Sequence, residues 1–276
     1  MQSTFPNSFF NYTAFEAQKI LQTYTAVKVE WLEIIHSTND YLKDKIRQNN
    51  VNLFTDENNQ FVTLAWEQTN GRGQYKRAWK SQAKQCLIMS YAMKLPIKNN
   101  DNNIPSGLSL VSGISVCQAF ENISNTFQNL IFLKWPNDII MQDKKLGGIL
   151  AEVISQGSTH YVIIGLGINL CLNQTGENSQ NIINAIGLDD FIPKIPEQNI
   201  YRFIADILYY LEINIQKCCE FGFEYFLPRW NKCAYKPKTT QLFSINAHDK
   251  IEAYYDHVDS QGNLYVKNKY GNIFKL

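Results

Sequence analysis

The stretch "NLIFLKWPNDIIMQDKKLGGILAEVIS", residues 129–155, decides the fold of this chain. It contains three short apolar runs, at 129–135, 138–142 and 147–155. Runs of this length, rich in Ile, Leu and Val and bounded by Pro, Asn, Asp or Gly, predict β-strands. Because strands and helices are mixed along the chain without regular alternation, an α+β domain on a mixed, largely antiparallel sheet is favoured over a doubly wound parallel one.

The segments on either side of this stretch supply further strands and several helices. Strand-like runs lie at 61–66, 86–95 and 161–170. Apolar residues at helical spacing predict helices over 14–25, after the polar cluster at 37–40, from Pro105 onward and over 199–223. Polar tracts at 98–103 and 173–181 are expected to form surface loops.

The tail after Pro237 changes character. Its strand-like runs are short and are separated by the turn sequences "DSQGN" and "YGN". This pattern is typical of a small barrel-like β-domain. The chain is therefore expected to contain an N-terminal helical extension (1–28), a large domain (29–234) and a small C-terminal β-domain (235–276).

The composition argues against several broad classes of protein. With 26 basic and 25 acidic residues the formal net charge is +1, so no global field recruits nucleic acid or an anionic membrane. The six cysteines include no C-x-x-C pair, and Cys218 and Cys219 are interpreted as helix thiols rather than a redox pair or metal site. Free thiols, the lack of an export signal and the lack of a membrane-length apolar stretch favour a cytoplasmic protein.

The segment "EQTNGRGQYKRAW", Glu67–Trp79, is a candidate anion-binding loop between two strands. It holds two glycines and the cations Arg72, Lys76 and Arg77. Backbone N–H groups and cationic side chains together match the needs of phosphate oxygens. The spacing fits neither a dinucleotide-binding fingerprint nor a P-loop. A solvated hairpin whose charges keep a sheet edge soluble explains the same residues on local evidence, so this alternative stays open.

Lys134 stands at the end of an apolar run, just before Pro136, Asn137 and Asp138. A lysine among apolar residues is costly to bury unless it finds an anion, so it needs a partner. Two alternatives need no ligand. The ammonium could form an ion pair with a carboxylate inside the protein, or the long lysine side chain could extend so that the ammonium reaches solvent.

Two pairs of glycines, Gly147 with Gly148 and Gly165 with Gly167, interrupt strand-like runs. Glycines in strands mark either bulges or places where a ligand approaches the backbone closely. Each pair alone is compatible with both interpretations.

In combination and in this order, the motifs "HSTND", "EQTNGRGQYKRAW", "KWPNDI", "KLGGIL" and "GLGINL" resemble those of the biotin protein ligase family. The similarity covers roughly residues 29–276. It implies a class II synthetase-like ligase domain followed by an SH3-like β-barrel domain. It also implies that biotin and ATP form biotinyl-5'-adenylate and pyrophosphate, and that biotin then passes to one lysine of a biotin carboxyl carrier domain.

The resemblance also assigns roles to individual residues. Lys134 and Arg72 are the expected catalytic residues, with Lys134 bridging the biotin carboxylate and the α-phosphate. The expected adenylate-binding residues are Arg72, Arg77, Trp79, Lys134 and Asn169, of which Trp79 walls the nucleotide and Asn169 contacts adenine. The expected biotin-binding residues are Ser37, Thr38, Asn39, Gln68, Gly71, Arg72, Gly73, Gln74, Lys134, Gly147 and Gly148. Local alternatives exist: a helix cap at Ser37 to Asn39, a turn former at Asn169 and a core residue at Trp79.

The Gly-Arg-Gly segment is expected to order over the adenylate and exclude water from the activated acyl group. Three residues depart from the family pattern: His36 replaces an acidic residue, Gln74 an arginine and Lys76 a glycine. Since Gln74 removes a fixed charge, a looser hold on the adenylate is expected. A local hydrogen-bonding role is expected for His36.

The resemblance names further partners. Biotin and ATP are the implied substrates, and Mg²⁺ is expected with ATP, although Asp138 is at best a weak candidate ligand. The protein partner is the carrier domain of a carboxylase, and a homodimer is possible. Neither nucleic acid nor membrane is expected, because about 28 residues before the catalytic domain are too few for a helix-turn-helix module. A lipoate or octanoate ligase and a non-catalytic biotin or nucleotide sensor are the alternatives.

Overall fold

The computed structural model describes residues 10–48, 54, 59–80, 82–97, 104–123, 125–172, 184–191, 196–245 and 249–276. Its main strands are β1 (Lys28–Ile35), β2 (Gln60–Gln68), β3 (Cys86–Lys94), β4 (Ile131–Lys134), β5 (Asp138–Met141), β6 (Lys144–Gln156) and β7 (Thr159–Asn169). Within the described residues these form one sheet in the order β1-β2-β3-β7-β6-β5-β4. β1 and β2 are parallel, whereas the other neighbours pair antiparallel. The expected mixed, largely antiparallel sheet is confirmed.

Helices cover both faces of this sheet. They are α1 (Ala14–Gln22), α2 (Thr38–Arg47), α3 (Leu108–Ile123), α4 (Glu197–Phe221) and α5 (Leu227–Cys233). On one face, Leu42 and Ile46 of α2 pack with Phe61 of β2. On the other face, α1, α3 and α4 share a core with Val62 of β2. Because successive residues of a strand point to opposite faces, β2 is apolar on both sides and reads as a continuous apolar run.

Several element boundaries differ from those expected from the sequence. A 3₁₀ turn occupies Asn125–Asn129, so β4 begins at Ile131 rather than at Asn129. β6 begins at Lys144 and continues through both of its glycines. A methyl group at Gly147 would lie 2.5 Å from the carbonyl oxygen of Gly167, so the glycine allows close strand approach rather than ending the strand.

Helix α4 ends close to its expected position. The next residue, Gly222, has a φ of 72°, a left-handed conformation that glycine adopts without strain. The helix therefore stops where the sequence supplies a residue able to reverse the chain.

The tail forms a second, antiparallel sheet, as expected for an SH3-like module. Its strands are β8 (Gln241–Ser244), β9 (Lys250–Val258), β10 (Leu264–Asn268) and β11 (Ile273–Lys275), in the order β11-β10-β9-β8. Ala253 and Val266 belong to the same core cluster as the main sheet. Trp230 Nε1 donates to the Tyr255 hydroxyl at 3.1 Å, which also joins the two parts. The division of the chain into domains remains a prediction.

The loops expected at 98–103 and 173–181 lie outside the described residues. Within the part of the chain that is described, no helix combines the length and apolar character needed to cross a membrane. All six cysteines lie in the described residues, and none of them forms a disulfide bond. Cys218 is buried in α4 and Cys219 is partly buried beside it, in agreement with their interpretation as helix thiols.

Candidate ligand-binding site

A cavity of approximately 470 Å³ lies where several strand ends, one loop and the second sheet meet. Its walls come from the start of α2, the loop after β2, the turn between β4 and β5, the glycine-bearing parts of β6 and β7, and β8. Eleven of the residues expected to form a site line it: Ser37, Thr38, Asn39, Gln68, Arg72, Gly73, Gln74, Arg77, Trp79, Lys134 and Gly148. The volume suits a small organic ligand.

Lys134 is the last residue of β4, and the following turn is closed by the Asn137 N–H, which donates to the Lys134 carbonyl at 3.1 Å. Its half-buried ammonium donates to Oε1 of Gln241 at 3.1 Å. Among the described residues, no carboxylate lies within 4.0 Å of the ammonium. The described residues therefore give no support for an internal ion pair, and the cation keeps its charge available to the cavity.

The glycine-bearing loop joins β2 to β3, as predicted, and forms a small hairpin. Gly73 N–H donates to the Arg77 carbonyl at 2.8 Å, and Trp79 N–H donates to the Gly71 carbonyl at 2.8 Å. At the tip, Tyr75 has a φ of 55° and is 83% exposed. A tyrosine in this left-handed region is strained by about 1 kcal/mol.

Arg72 carries the positive charge of this hairpin into the cavity. Its guanidinium forms an ion pair with Asp40 in the first turn of α2. Its Nε is buried and has no hydrogen-bond partner among the described residues. A buried donor without an acceptor is costly. The Nε–H of Arg72 is therefore able to donate a hydrogen bond to a ligand oxygen.

The start of α2 supplies the polar floor of the cavity. Ser37 caps the helix by accepting from the Asp40 N–H at 3.3 Å, which confirms the local alternative without excluding a second role. Thr38 N–H and hydroxyl both donate to Oε1 of Gln68, at 2.8 and 3.1 Å. Ser37, Thr38 and Asn39 are each no more than 4% exposed, so their polar atoms bond to neighbouring protein groups or to a ligand rather than to bulk solvent.

Ser90 of β3 lies beneath this floor and was not identified from the sequence. Its hydroxyl contacts Thr38 Oγ1 at 2.6 Å and Asn39 Oδ1 at 2.5 Å. Asn39 Nδ2 donates in turn to Oε2 of Glu152 at 2.8 Å. Ser90 is fully buried in an apolar run, and nothing in its local sequence sets it apart from core serines.

Three glycines make room for the side chains that line the cavity. A methyl group at Gly165 would overlap the side-chain amide of Asn39. A methyl group at Gly167 would lie 2.5 Å from the Trp79 indole, whereas one at Gly148 would lie 3.5 Å from it. Trp79 therefore rests on the backbone of β6 and β7, a position that connects the end of the loop to the sheet.

Three expected site residues do not line the cavity. Gly71 packs against Gln68 and the Trp79 backbone within the loop, and Gly147 packs against the Gly167 carbonyl within the sheet. Asn169 is 7% exposed, and its Nδ2 donates to the Ile186 carbonyl at 3.3 Å. Cys86 Sγ lies 3.6 Å from Asn169 Oδ1, and burial raises the pKa of this thiol to about 12. An adenine-binding role for Asn169 remains a prediction.

Lys145 is a cavity residue that was not singled out from the sequence, although it stands in the motif "KKLGGIL". Its Nζ lies 2.6 Å from Oδ1 of Asp138 and 5.8 Å from the ring centroid of Trp79. Asp138 is the one residue with a carboxylate side chain among the cavity-lining residues that the structure describes. No cluster of three or more His, Cys, Asp or Glu residues is found in the described ranges. These residues do not fit a resident metal ion.

The departures from the family pattern have different surroundings. The His36 ring contacts Thr69 Oγ1 at 3.3 Å and Asn70 Nδ2 at 3.0 Å, which is the local hydrogen bonding expected for it. Gln74 lines the cavity from the hairpin.

Comparison with known proteins gives a consistent family match. Residues 31–169 match the model of the biotin/lipoate A/B protein ligase family. The Escherichia coli protein "Bifunctional ligase/repressor BirA" is 32% identical over 60% of this chain and 47% of its own length. The Mycobacterium tuberculosis "Biotin--[acetyl-CoA-carboxylase] ligase" is 32% identical over 40% of this chain and 39% of its own length. The matched regions thus span about half or less of these relatives.

A solved structure extends the likeness over nearly the whole chain. The structure described as "Biotin protein ligase from Aquifex aeolicus in complex with biotin and ATP" is 26% identical, with a TM-score of 0.67. The match covers 90% of this chain and 95% of that one. A Leishmania major biotin protein ligase is 22% identical with a TM-score of 0.55 over 90% of this chain, which supports the fold alone.

Proposed function

This chain belongs to the biotin/lipoate A/B protein ligase family, and from that premise we propose that it is a biotin protein ligase. It activates biotin with ATP to biotinyl-5'-adenylate and transfers biotin to a lysine of a biotin carboxyl carrier domain. The observation that supports this most strongly is the convergence of Lys134 and Arg72 on one cavity that also has a polar floor. The similar Aquifex aeolicus protein was solved with biotin and ATP.

In the first step, a biotin carboxylate oxygen bonds to the α-phosphorus, and the bond from that phosphorus to the pyrophosphate oxygen breaks. The approaching groups are both anions, and negative charge grows on the phosphoryl oxygens and on the leaving pyrophosphate. Lys134 offsets this repulsion from the end of a strand, where its position is fixed before the substrates arrive. Such preorganised charge is the main catalytic contribution available to this chain.

In this proposal, the polar residues at the floor of the cavity bind biotin. The ureido ring of biotin is neutral and polar, so it needs matched donors and acceptors in a dry pocket. Thr38 and Asn39, oriented by Gln68 and Ser90, supply hydroxyl and amide groups with fixed directions, and Ser37 supplies a second hydroxyl next to them. Since Asn39 Oδ1 accepts from Ser90, its lone-pair capacity is partly used, which limits which ligand donors it can accept.

The hairpin holds the intermediate until the carrier arrives. Biotinyl-adenylate is a mixed anhydride that water hydrolyses, so it must be kept dry. Arg72 binds its phosphate oxygens, and the hairpin covers it. In the second step the carrier lysine nitrogen bonds to the acyl carbon, AMP leaves with the bonding electrons, and the amine loses a proton to form the amide.

Mg²⁺ enters with ATP as part of the substrate rather than as a resident ion. The single carboxylate side chain that lines the cavity in the described residues, Asp138, is paired with Lys145, and those residues contain no cluster of three or more His, Cys, Asp or Glu. When bound to ATP, Mg²⁺ would offset part of the negative charge of the phosphates, and Lys145, which lines the cavity, would add a second positive charge there.

The proposal is tested by measuring pyrophosphate release with biotin, lipoate and octanoate in turn. Biotin-dependent release, followed by labelled-biotin transfer to a carrier domain, is the expected result. Release with lipoate or octanoate instead would identify a lipoate-type ligase. Tight biotin binding without pyrophosphate release would identify a non-catalytic sensor.

A further inference from the structure

The cavity has one wall that none of the sequence motifs indicated. Gln241, Leu242, Phe243 and Ser244, all of β8, line it from the second sheet. Gln241 lies opposite Ala253 of β9, a residue that is fully buried in the common core. A side chain at this position is therefore held by a paired, packed strand rather than by a loop.

Gln241 is the hydrogen-bond partner that the structure records for the Lys134 side chain within the described residues. The ammonium donates to Oε1 at 3.1 Å, while Nε2 of the same amide donates to the Thr240 carbonyl at 3.5 Å. This second contact is long for a hydrogen bond, and it is consistent with the amide oxygen facing Lys134. The glutamine thus presents an oriented, neutral acceptor.

The residue after Lys134 is attached to the same sheet. Trp135 Nε1 donates to the Gly262 carbonyl at 2.9 Å. Lys134, at the end of β4, and the next residue therefore both contact the C-terminal part of the chain, one at Gln241 of β8 and the other at Gly262, in the turn between β9 and β10. Because a lysine ammonium sits on a flexible four-carbon stem, an acceptor of this kind decides where the charge spends its time.

We propose that Gln241 is a positioning residue for Lys134, through which the second sheet sets the geometry of the adenylation step. This inference rests on the proposed ligase function. A carboxylate at position 241 would also hold the ammonium, but it would neutralise the charge and compete with the substrate anions. A neutral amide positions the ammonium before the substrates bind. The ammonium can then leave the amide for a substrate oxygen, because a hydrogen bond to a phosphate or carboxylate oxygen is stronger than one to an amide oxygen.

The kinetic test compares Gln241→Ala and Gln241→Glu with the control Gln261→Ala, an exposed glutamine in the turn between β9 and β10. In Gln241→Ala, kcat for biotin-dependent pyrophosphate release should fall about tenfold, with the KM values for biotin and ATP within about twofold. In Gln241→Glu, kcat should fall further, because the introduced carboxylate pairs with the ammonium and neutralises the charge that the substrate anions need. A general structural defect would change the KM values together with kcat; a loss that is not confined to kcat, or a Gln241→Glu rate equal to or above that of Gln241→Ala, overturns the proposal.

A second measurement does not depend on activity. In the ligand-free protein, the ¹⁵N order parameter of the Lys134 ammonium should fall in Gln241→Ala and stay unchanged in Gln261→Ala. If Gln241→Ala does not fold, Gln241→Met keeps the side-chain length without the acceptor and takes its place. An unchanged order parameter overturns the proposal, whereas absence of biotin-dependent pyrophosphate release from the unaltered protein overturns the ligase function instead.

Discussion

Lys134 and Arg72 reach the same cavity from two different kinds of structure. Lys134 stands at the end of a strand and meets a neutral amide. Arg72 stands on a hairpin and meets the carboxylate of Asp40. The strand gives a charge that is not neutralised by a carboxylate, whereas the hairpin gives a charge that is shared with one. Under the proposed function, this difference favours a role for Lys134 in the chemical step and for Arg72 in retention of its product.

Lys134→Ala should produce the largest effect. Loss of one preorganised group facing the developing charge should lower kcat for pyrophosphate release by about 10²- to 10³-fold, with a much smaller effect on biotin affinity. The measurement is single-turnover pyrophosphate release combined with biotin titration. Lys144→Ala, which removes an exposed lysine nearby, is the control. If biotin affinity fell by as large a factor as the rate, Lys134 would act in substrate binding, and the proposed difference in role between Lys134 and Arg72 would be lost.

Arg72→Ala should act mainly on retention. Because a charge-assisted hydrogen bond to phosphate is lost, biotinyl-adenylate should dissociate about 10- to 100-fold faster. Its rate of formation should fall less than in Lys134→Ala. Release of pre-formed labelled adenylate measures this directly, with Arg47→Ala, an exposed arginine of α2, as control. Equal rates of adenylate release from Arg72→Ala and Arg47→Ala would contradict the role of Arg72 in retention.

Gly167→Ala should show how firmly the end of the hairpin is seated on the sheet. The added methyl group meets the Trp79 indole at 2.5 Å, so the ring or the strand must shift, at a cost of about 1–3 kcal/mol in the free energy of unfolding. Gly148→Ala is the matched control, because it faces Gly167 across the strand pair and meets the same ring at 3.5 Å. Urea unfolding measures both, and equal losses in the two variants would argue against the seating of Trp79 seen in the structure.

Asp40→Asn should have the smallest effect. It removes the carboxylate that shares the charge of Arg72 and an acidic residue from the first turn of α2, so the free energy of unfolding should fall by less than about 1 kcal/mol. With its charge no longer shared, Arg72 should hold the adenylate about twofold longer. The adenylate-release assay used for Arg72→Ala measures this, and faster release would show that Asp40 positions Arg72 rather than competing for it.

The sequence predicted best those parts of the site in which a motif lies within a single strand or loop. Lys134, with its apolar run on one side and proline on the other, predicted a strand-borne charge, and the glycine-bearing segment predicted a loop between two strands. Both features are local, so the sequence shows them directly. The mixed sheet followed from strand runs without regular alternation with helices.

The remaining parts of the site depend on contacts between distant segments. Ser90 looks like an ordinary strand residue until β3 pairs with β7 and places it under Thr38 and Asn39. Gln241 lies 107 residues from Lys134 along the chain, and no motif connects them. The glycines of β6 were expected to interrupt a strand because glycine is a poor strand former, but close packing against β7 outweighs that preference.

The most direct measurement is a crystal structure of the protein with a non-hydrolysable biotinyl-adenylate analogue. We expect the Lys134 ammonium and the Arg72 guanidinium within about 3.2 Å of the group that replaces the phosphate, on opposite sides of it. The biotin ring should lie against Thr38 and Asn39. An analogue bound outside this cavity, or one contacted by only one of the two cations, would contradict the division of labour between strand and hairpin.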